Sequence, residues 1–289
     1  MSAGLGVQVV VETDPEAEER LVEELFTAVL ADIGADAEDH DVEDEDEDLE
    51  EDDERVVLAV AVARAEGKLL GWASLLGPDE EDPGPTVQWL LLSREIERIK
   101  TGMYDEHPAT PEEIELLVAL TKAAADHARE AGNEAIVWSD PMADLDAHVA
   151  EALGASPDEE LGHIWAFEDL AAVAAPAGLP AVRTQVATEP TENLPDGTDV
   201  ITIDVVDTDA ELSALIKGNR AMVEEIIHHD TEPEVLAAAI HDLVGKIREL
   251  NPDVRTLRVH EYDDEDVEEA AELAGMTVAK QLHFYRLDL

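Results

Sequence analysis

The excess of acidic residues constrains the fold of this chain more than any other feature of its sequence. The 289 residues include 72 Asp and Glu but only 18 Lys and Arg, so the formal net charge at pH 7 is −54. Hydrophobic residues still make up 45% of the chain, which is enough to build buried cores. A fold of this composition must keep its acidic side chains on a solvated surface. Such a surface is typical of halophilic proteins, in which molar salt screens the repulsion between the acids.

The charge and the lack of cysteine exclude several classes of function. A surface this acidic repels the phosphates of nucleic acids and of anionic membranes. The sequence contains no Cys, which rules out disulfides, thiolate metal ligands and a Cys nucleophile. No segment predicts a signal peptide or a membrane span. We therefore expect a cytoplasmic protein that binds neither nucleic acid nor membranes.

The first half of the chain, residues 1–170, predicts a mixed α/β module. Thr110 and Glu113 form a capping box with Pro111 at the first helical position, which predicts a helix over 110–131. An acidic block at 36–54 predicts a loop, because so many like charges cannot be buried. The predicted order is strand 7–11, helix 14–30, hairpin 56–63 and 69–76, strand 86–92, helix 110–131, strand 135–139, helix 145–153 and strand 164–170.

The second half repeats parts of the first. Residues 171–196 contain four prolines and predict a linker. Residues 135–155 and 256–276 then align without gaps, each predicting a strand, an acidic turn, a small-residue helix and a closing glycine. The patterns at 208–227 and 233–250 are both interpreted as helices. No counterpart of the hairpin or of the strand after it is predicted, so the module at 197–289 is expected to be abbreviated.

The order of these elements resembles the GNAT N-acetyltransferase superfamily. The resemblance also rests on Leu69-Leu70-Gly71-Trp72-Ala73 and on the ending Leu153-Gly154-Ala155. The doubled arrangement, opened by Leu194-Pro195-Asp196-Gly197, resembles the tandem, mycothiol-synthase-like type. The resemblance implies an α/β (α+β) fold with a mixed sheet and two GNAT-like modules, of which the second is abbreviated. It also implies an acyl-CoA-dependent N-acetyltransferase, with acetyl-CoA as co-substrate and a small-molecule amine as acceptor.

The resemblance implies where the acyl-CoA would bind. The thioester is expected along the strand at 86–92, and the diphosphate at the turn before the helix that begins near residue 110. This turn departs from the family's pattern, because it lacks glycine, Arg and Gln, and because Glu112 and Glu113 lie where phosphates would sit. The candidate binding residues are Leu90, Leu91, Leu92, Ala109 and Thr110.

The catalytic groups are less well defined. The superfamily commonly places a Tyr, as general acid, four residues before the glycine that closes the short helix. Those positions hold Ala150 and Ala271, neither of which can donate a proton. The titratable candidates near the predicted loop are Tyr104, Glu106 and His107. No metal site is predicted, because the spacing of His228, His229 and His241 fits no standard pattern.

Two functions follow from these observations. One is the acetyltransferase; the other is a non-catalytic binding or interaction protein that keeps the fold and has lost the diphosphate loop. A cleft open beside 86–92 favours the enzyme, and a cleft filled by 93–107 favours the binding protein. The four tryptophans are expected in the cores, and Trp89 is the one that would line a cleft.

Overall fold

The computed structural model describes residues 7–33, 55–78, 84–101, 109–139, 145–174, 176–187, 198–229 and 231–289. The acidic block at 36–54 lies outside this part of the chain. The helices of the described residues are α1 (Ala17–Ile33), α2 (Leu92–Thr101), α3 (Pro111–Glu130), α4 (Leu145–Leu153), α5 (Pro233–Leu250) and α6 (Glu265–Ala274). The strands are β1 (Val7–Glu12), β2 (Val57–Ala65), β3 (Lys68–Leu76), β4 (Thr86–Leu91), β5 (Ala135–Trp138), β6 (Ser156–Phe167), β7 (Thr184–Ala187), β8 (Thr198–Val205), β9 (Glu211–Lys217), β10 (Arg220–Ile227), β11 (Thr256–Tyr262) and β12 (Thr277–Asp288). None of the described helices is long and apolar enough to span a membrane.

The chain forms two compact units whose boundaries differ from those expected from the sequence. The first unit contains Met1–Lys100, Tyr104–Glu159 and Phe284–Leu289, and the second contains Thr101–Met103 and Glu160–His283. The division therefore falls before β6 has ended rather than at residue 170. The expected linker at 171–196 contains the strand β7, and the end of β12 belongs to the first unit.

The sheet of the first unit has the strand order β1-β2-β3-β4-β5, followed by the end of β12. Strands β1 to β4 are antiparallel neighbours, and β5 is parallel to β4. Alternate residues of β2 face opposite sides of the sheet, as expected for a strand buried on both faces. Ala59 and Ala61 pack with α3, whereas Val60 and Val62 pack with α1. The predicted mixed α/β fold is confirmed.

Helix α3 begins where the sequence predicts. The Thr110 hydroxyl accepts the Glu113 N–H, and the Glu113 carboxylate accepts the Thr110 N–H, which completes the capping box around Pro111. The C-cap is Ala131, and Gly132 follows with a φ of 91°. The predicted bounds of α4 and α5 are confirmed as well.

The second unit forms the strand order β6-β11-β10-β9-β8-β7, with residues 277–283 of β12 beside β6. Strands β10 and β11 are parallel, whereas β6 with β11, β10 with β9, β9 with β8 and β8 with β7 form antiparallel pairs. Helices α5 and α6 contribute buried Leu, Ile, Val and Ala side chains to a single apolar core. Gly154 and Gly275 both follow a short helix with positive φ, so the aligned segments 135–155 and 256–276 share a strand–helix–glycine order.

The interpretation of 208–227 as a helix is wrong. This segment forms the hairpin of β9 and β10, with Gly218 at a φ of 59° in the turn. Leu212, Ala214 and Ile216 are buried, which is the period-2 pattern of a strand. By strand order, β8 and β9 correspond to the hairpin of β2 and β3, and β10 corresponds to β4. The second unit therefore does contain a counterpart of the hairpin and of the strand after it. In the described residues, it has no helix between β7 and β8, where the first unit has α1 between β1 and β2.

Candidate functional site

Strands β4 and β5 run parallel and separate soon after they meet. In the described part of the chain they share one register pair, Thr86 opposite Val137, and the Val137 N–H donates to the Pro85 carbonyl at 3.2 Å. The other edge of β4 pairs with β3 over its whole length. The stretch 87–91 of β4 thus has an edge with no register partner among the described residues. Backbone groups of alternate residues point to that edge and can bind an extended ligand.

The leucines expected to bind acyl-CoA offer their backbone rather than their side chains. Leu91 is buried on the α3 side of the sheet, and Leu90 and Leu92 pack into the core beneath α1. Leu92 is the first residue of α2, so β4 ends one residue earlier than expected. On β3, a Cβ at Gly71 would lie 2.4 Å from the Leu90 carbonyl oxygen, so only glycine lets the two strands approach this closely.

Trp89 lies where the two strands separate. Its ring centroid is 6.0 Å from that of Trp138 on β5, and Trp138 is 6.3 Å from Tyr285 at the end of β12. Trp138 is fully buried, whereas Trp89 is half-buried. The remaining tryptophans, Trp72 and Trp165, are buried in the cores as expected. Trp89 and Trp138 therefore both lie at the separating strands, on the α3 side of the sheet, and Trp89 is the more exposed of the two.

The N-terminus of α3 is closed by the chain's own carboxylate. Glu113 accepts hydrogen bonds from the Thr110 N–H at 2.9 Å, from the Thr110 hydroxyl at 3.0 Å and from Arg94 Nη2 at 2.7 Å. Ser93 Oγ donates to the other carboxylate oxygen at 3.2 Å. Burial acts to raise the pKa of Glu113, but the hydrogen bonds from Arg94 and Thr110 outweigh it, so the pKa is lowered. Glu113 is therefore an ionised, enclosed anion.

These residues do not fit a diphosphate. The Thr110 N–H that would bind it already donates to Glu113, and Pro111 has no N–H to offer. The negative charges of Glu112 and Glu113 would repel phosphate oxygens. Sequence reasoning missed Arg94, whose side chain is 7% exposed and lies against this helix terminus. A signal was present in the sequence, because residues 94–100 hold three of the 18 basic residues of the chain.

The segment 93–107 contributes to this closure. Helix α2 follows β4 without a loop, and its first turn supplies the Ser93 and Arg94 contacts to Glu113. A cavity of about 600 Å³ lies between α2 and α3, with apolar walls that include Leu92, Ile96 and Leu116. The described part of 93–107 thus covers the N-terminus of α3.

The remaining candidates are of two kinds, those outside the described residues and those that the structure places. Tyr104, Glu106 and His107 lie outside the described residues, and Ala109 is a half-buried residue preceding the helix cap. Ala150 and Ala271 are buried within α4 and α6, respectively.

The histidines considered as metal ligands are used in other ways. His228 follows the strand β10 rather than a helix, and its Nε2 lies 2.8 Å from Asp264 Oδ2. Nε2 of His241 lies 2.8 Å from the Ala274 carbonyl oxygen. The described residues contain no group of three or more His, Asp or Glu that could hold a metal ion.

Comparison with known proteins gives similar structures but no similar sequences. No protein-family model matches the chain, and neither does any curated protein. A tandem GNAT protein from the clavulanic acid biosynthesis pathway is 14% identical, with a TM-score of 0.43 over 98% of both chains. A GCN5-related N-acetyltransferase from Anabaena variabilis is 8% identical, with a TM-score of 0.44 over 96% of this chain and 72% of that one. Eis1 from Mycobacterium abscessus is 12% identical, with a TM-score of 0.38 over 96% of this chain and 72% of that one.

The similarity of these structures to this chain is weak. Their identities are 14% or lower and their TM-scores are below 0.5. Similarity at this level says nothing about the reaction.

Proposed function

We propose that the first unit binds an acyl-CoA thioester along β4 and transfers the acyl group to a small-molecule amine. The observation that carries this proposal is the separation of β4 from β5 after Thr86, which leaves backbone groups of β4 without a strand partner in the part of the chain that the structure describes. An N–H at this edge polarises the thioester carbonyl. The amine nitrogen then forms a bond to the carbonyl carbon and the C–S bond breaks. One proton of the amine is lost and the leaving sulfur gains one, so the products are an amide and a thiol.

The proposal places the affinity in the pantetheine part of the ligand. The amide groups of pantetheine match the N–H and C=O groups of an unpaired strand edge. The diphosphate gains nothing at the terminus of α3, where the Glu113 carboxylate already accepts the Thr110 N–H. We therefore expect acetyl-CoA to bind no more tightly than acetyl-pantetheine, which lacks the nucleotide and the diphosphate.

A second candidate is a non-catalytic binding protein of the same fold. It is favoured by one observation, the enclosure of Glu113 by Arg94 and Thr110 at the position where the family's diphosphate would lie. In that case β4 and β5 separate without binding a thioester, and the chain recognises a ligand or a partner without acyl transfer.

Titration calorimetry with acetyl-CoA and acetyl-pantetheine distinguishes the two candidates. The protein is studied in about 2 M KCl, where its surface charge is screened. Saturable binding of both ligands, with Kd values within about threefold of each other, supports the proposal, and a screen of amines for acyl transfer follows. A folded protein that binds neither ligand at millimolar concentration contradicts the acyl-transfer proposal and leaves the binding protein.

The variant Glu113→Gln tests the role of the terminus of α3. Removing the charge makes this terminus less repulsive to phosphates, so acetyl-CoA should bind more tightly while acetyl-pantetheine is unaffected. Glu130→Gln, an exposed change at the other end of the same helix, is the matched control. Equal effects of Glu113→Gln on both ligands would show that the diphosphate does not approach this terminus.

A further inference from the structure

A polar cavity lies in the second unit, at the carboxyl ends of two parallel strands. Strands β10 and β11 pair from Arg220 opposite Thr256 to Val223 opposite Val259. The register of β10 against β9 then shifts beyond Val223, and a cavity of about 170 Å³ lies at this point. Crevices at the carboxyl ends of parallel strands are where α/β proteins commonly bind ligands.

One wall of this cavity is a buried carboxylate. Glu261 is 2% exposed and continues the face of β11 on which Leu257 and Val259 are buried in the apolar core. Its Oε2 lies 3.1 Å from His163 Nδ1, and its Oε1 accepts the Asp264 N–H at 2.8 Å. A carboxylate oxygen can accept two hydrogen bonds, so each oxygen keeps acceptor capacity beyond these contacts.

The backbone beside Glu261 allows His163 to reach it. Gly162 of β6 is opposite Tyr262 and has a φ of 143°. A Cβ at this position would lie 2.2 Å from the Glu261 carbonyl oxygen. Glycine therefore permits the close approach of β6 to β11 that brings His163 and Glu261 together.

Aromatic and apolar groups complete the cavity. The rings of His260 and Tyr262 lie edge to face with their centroids 6.3 Å apart, and Tyr262 is 46% exposed. Val223, Ile226 and Val267 supply apolar surface. Among the described residues, the lining carries the carboxylates of Glu261 and Asp264 and no Lys or Arg side chain.

We propose that this cavity binds a small organic ammonium ion. The Glu261 carboxylate supplies the opposite charge in a desolvated wall, and the Tyr262 ring supplies a face that attracts cations. The valines and the isoleucine contact a short alkyl chain. The volume of about 170 Å³ is well below the roughly 300 Å³ at which sites for drug-sized ligands begin, so the ligand is small. This site is independent of acyl transfer by the first unit.

The test uses n-butylammonium as the probe and n-butanol as its neutral counterpart. Binding is followed through the imidazole NMR signals of isotope-labelled histidine in about 2 M KCl, where a diffuse ion atmosphere is screened. We expect saturable shifts of the His163 and His260 signals with n-butylammonium, and affinity for n-butanol at least about tenfold weaker. Equal affinity for the two probes, or shifts that never saturate, would overturn the proposal.

Two variants locate the binding in this cavity. Glu261→Gln keeps the size of the side chain and removes its charge, and it should weaken n-butylammonium binding at least about tenfold. Glu249→Gln, an exposed change on α5, is the matched control and should have no effect. Tyr262→Leu changes an exposed ring without disturbing the core and should weaken binding several-fold. Unchanged affinity in a folded Glu261→Gln or in Tyr262→Leu contradicts the proposal.

Discussion

Glu113 is a single side chain that both starts a helix and excludes ligands from its terminus. Its side chain is 14% exposed and lies between the first turn of α3 and Arg94, which is 7% exposed. The sequence shows its capping role directly, because Thr110 and Glu113 have the spacing of a capping box. The contact with Arg94 joins residues 19 positions apart and depends on where α2 begins, which no local pattern indicates.

The stability supplied by Glu113 should depend on pH. The pKa of Glu113 is lower in the folded protein than in the unfolded chain. Its contribution to stability is therefore fully present above the pKa that it has in the unfolded chain, and is lost as the pH falls through the pKa that it has in the folded protein. We expect Glu113→Gln to lower the free energy of unfolding by about 1–3 kcal/mol at neutral pH. The difference from the unchanged protein should shrink below about pH 4. Urea denaturation at neutral pH and below about pH 4 measures this difference in the free energy of unfolding. Glu130→Gln should match the unchanged protein at both pH values.

Gly162 is a residue whose replacement should disturb two strands at once. In Gly162→Ala the new Cβ would lie 2.2 Å from a backbone oxygen of β11, so β6 and β11 must move apart. We expect a loss of about 2–4 kcal/mol in the free energy of unfolding. Gly245→Ala in the helix α5 is the control, because a Cβ added there would have no atom within 4 Å beyond the backbone of its own helix. That change should stabilise by about 0.5–1 kcal/mol. Equal denaturation midpoints for the two variants would contradict this account of Gly162.

At the scale of elements, local signals predict structure well where they are unambiguous. The bounds of α3 follow from its capping box and Gly132, and those of α4 from Gly154. The segment 208–227 misleads because its Ala, Leu and Glu favour helices, although the turn at Gly218 makes it a hairpin. The strand β7 lies in a proline-rich segment and forms because β8 offers it an edge.

The candidate sites are less predictable than the elements that form them. The separation of β4 and β5 follows from the resemblance to a family, because the sequence of either strand is compatible with a continuous ladder. The contact between His163 and Glu261 joins residues 98 positions apart on strands from different halves of the sequence. Such a contact is decided by strand order, which hydrophobic periodicity does not encode.

The end of β12 should stabilise the first unit selectively. Tyr285 is opposite Trp138 on β5 and stacks against its ring at 6.3 Å. We expect Tyr285→Ala to cost about 1–3 kcal/mol and to increase hydrogen exchange in β5 and α3 before α5. Val278→Ala, an exposed change near the start of the same strand, should cost less than about 0.5 kcal/mol. Faster exchange in α5 than in α3 would show that this strand mainly supports the second unit.

For the whole molecule, the net charge of −54 should set the salt range in which the fold persists. Repulsion between acids opposes the compact state, and molar salt reduces its range to about 3 Å. We expect the melting temperature to rise continuously between about 0.1 and 2 M KCl. Circular dichroism at each concentration checks this, with sucrose of equal osmolality as the uncharged control. A melting temperature that does not change with KCl, or an equal rise in sucrose, would contradict the role of charge screening.

The placement of Phe284–Leu289 in the first unit has a consequence for synthesis of the chain. A ribosome completes β1 to β5 and then the whole of the second unit before it makes the residues that pair with β5. During that interval the nascent first unit has an open edge at β5, with Trp138 lacking the ring of Tyr285. The sheet of the first unit is therefore completed only after the second unit has been translated, although most of the first unit is translated earlier.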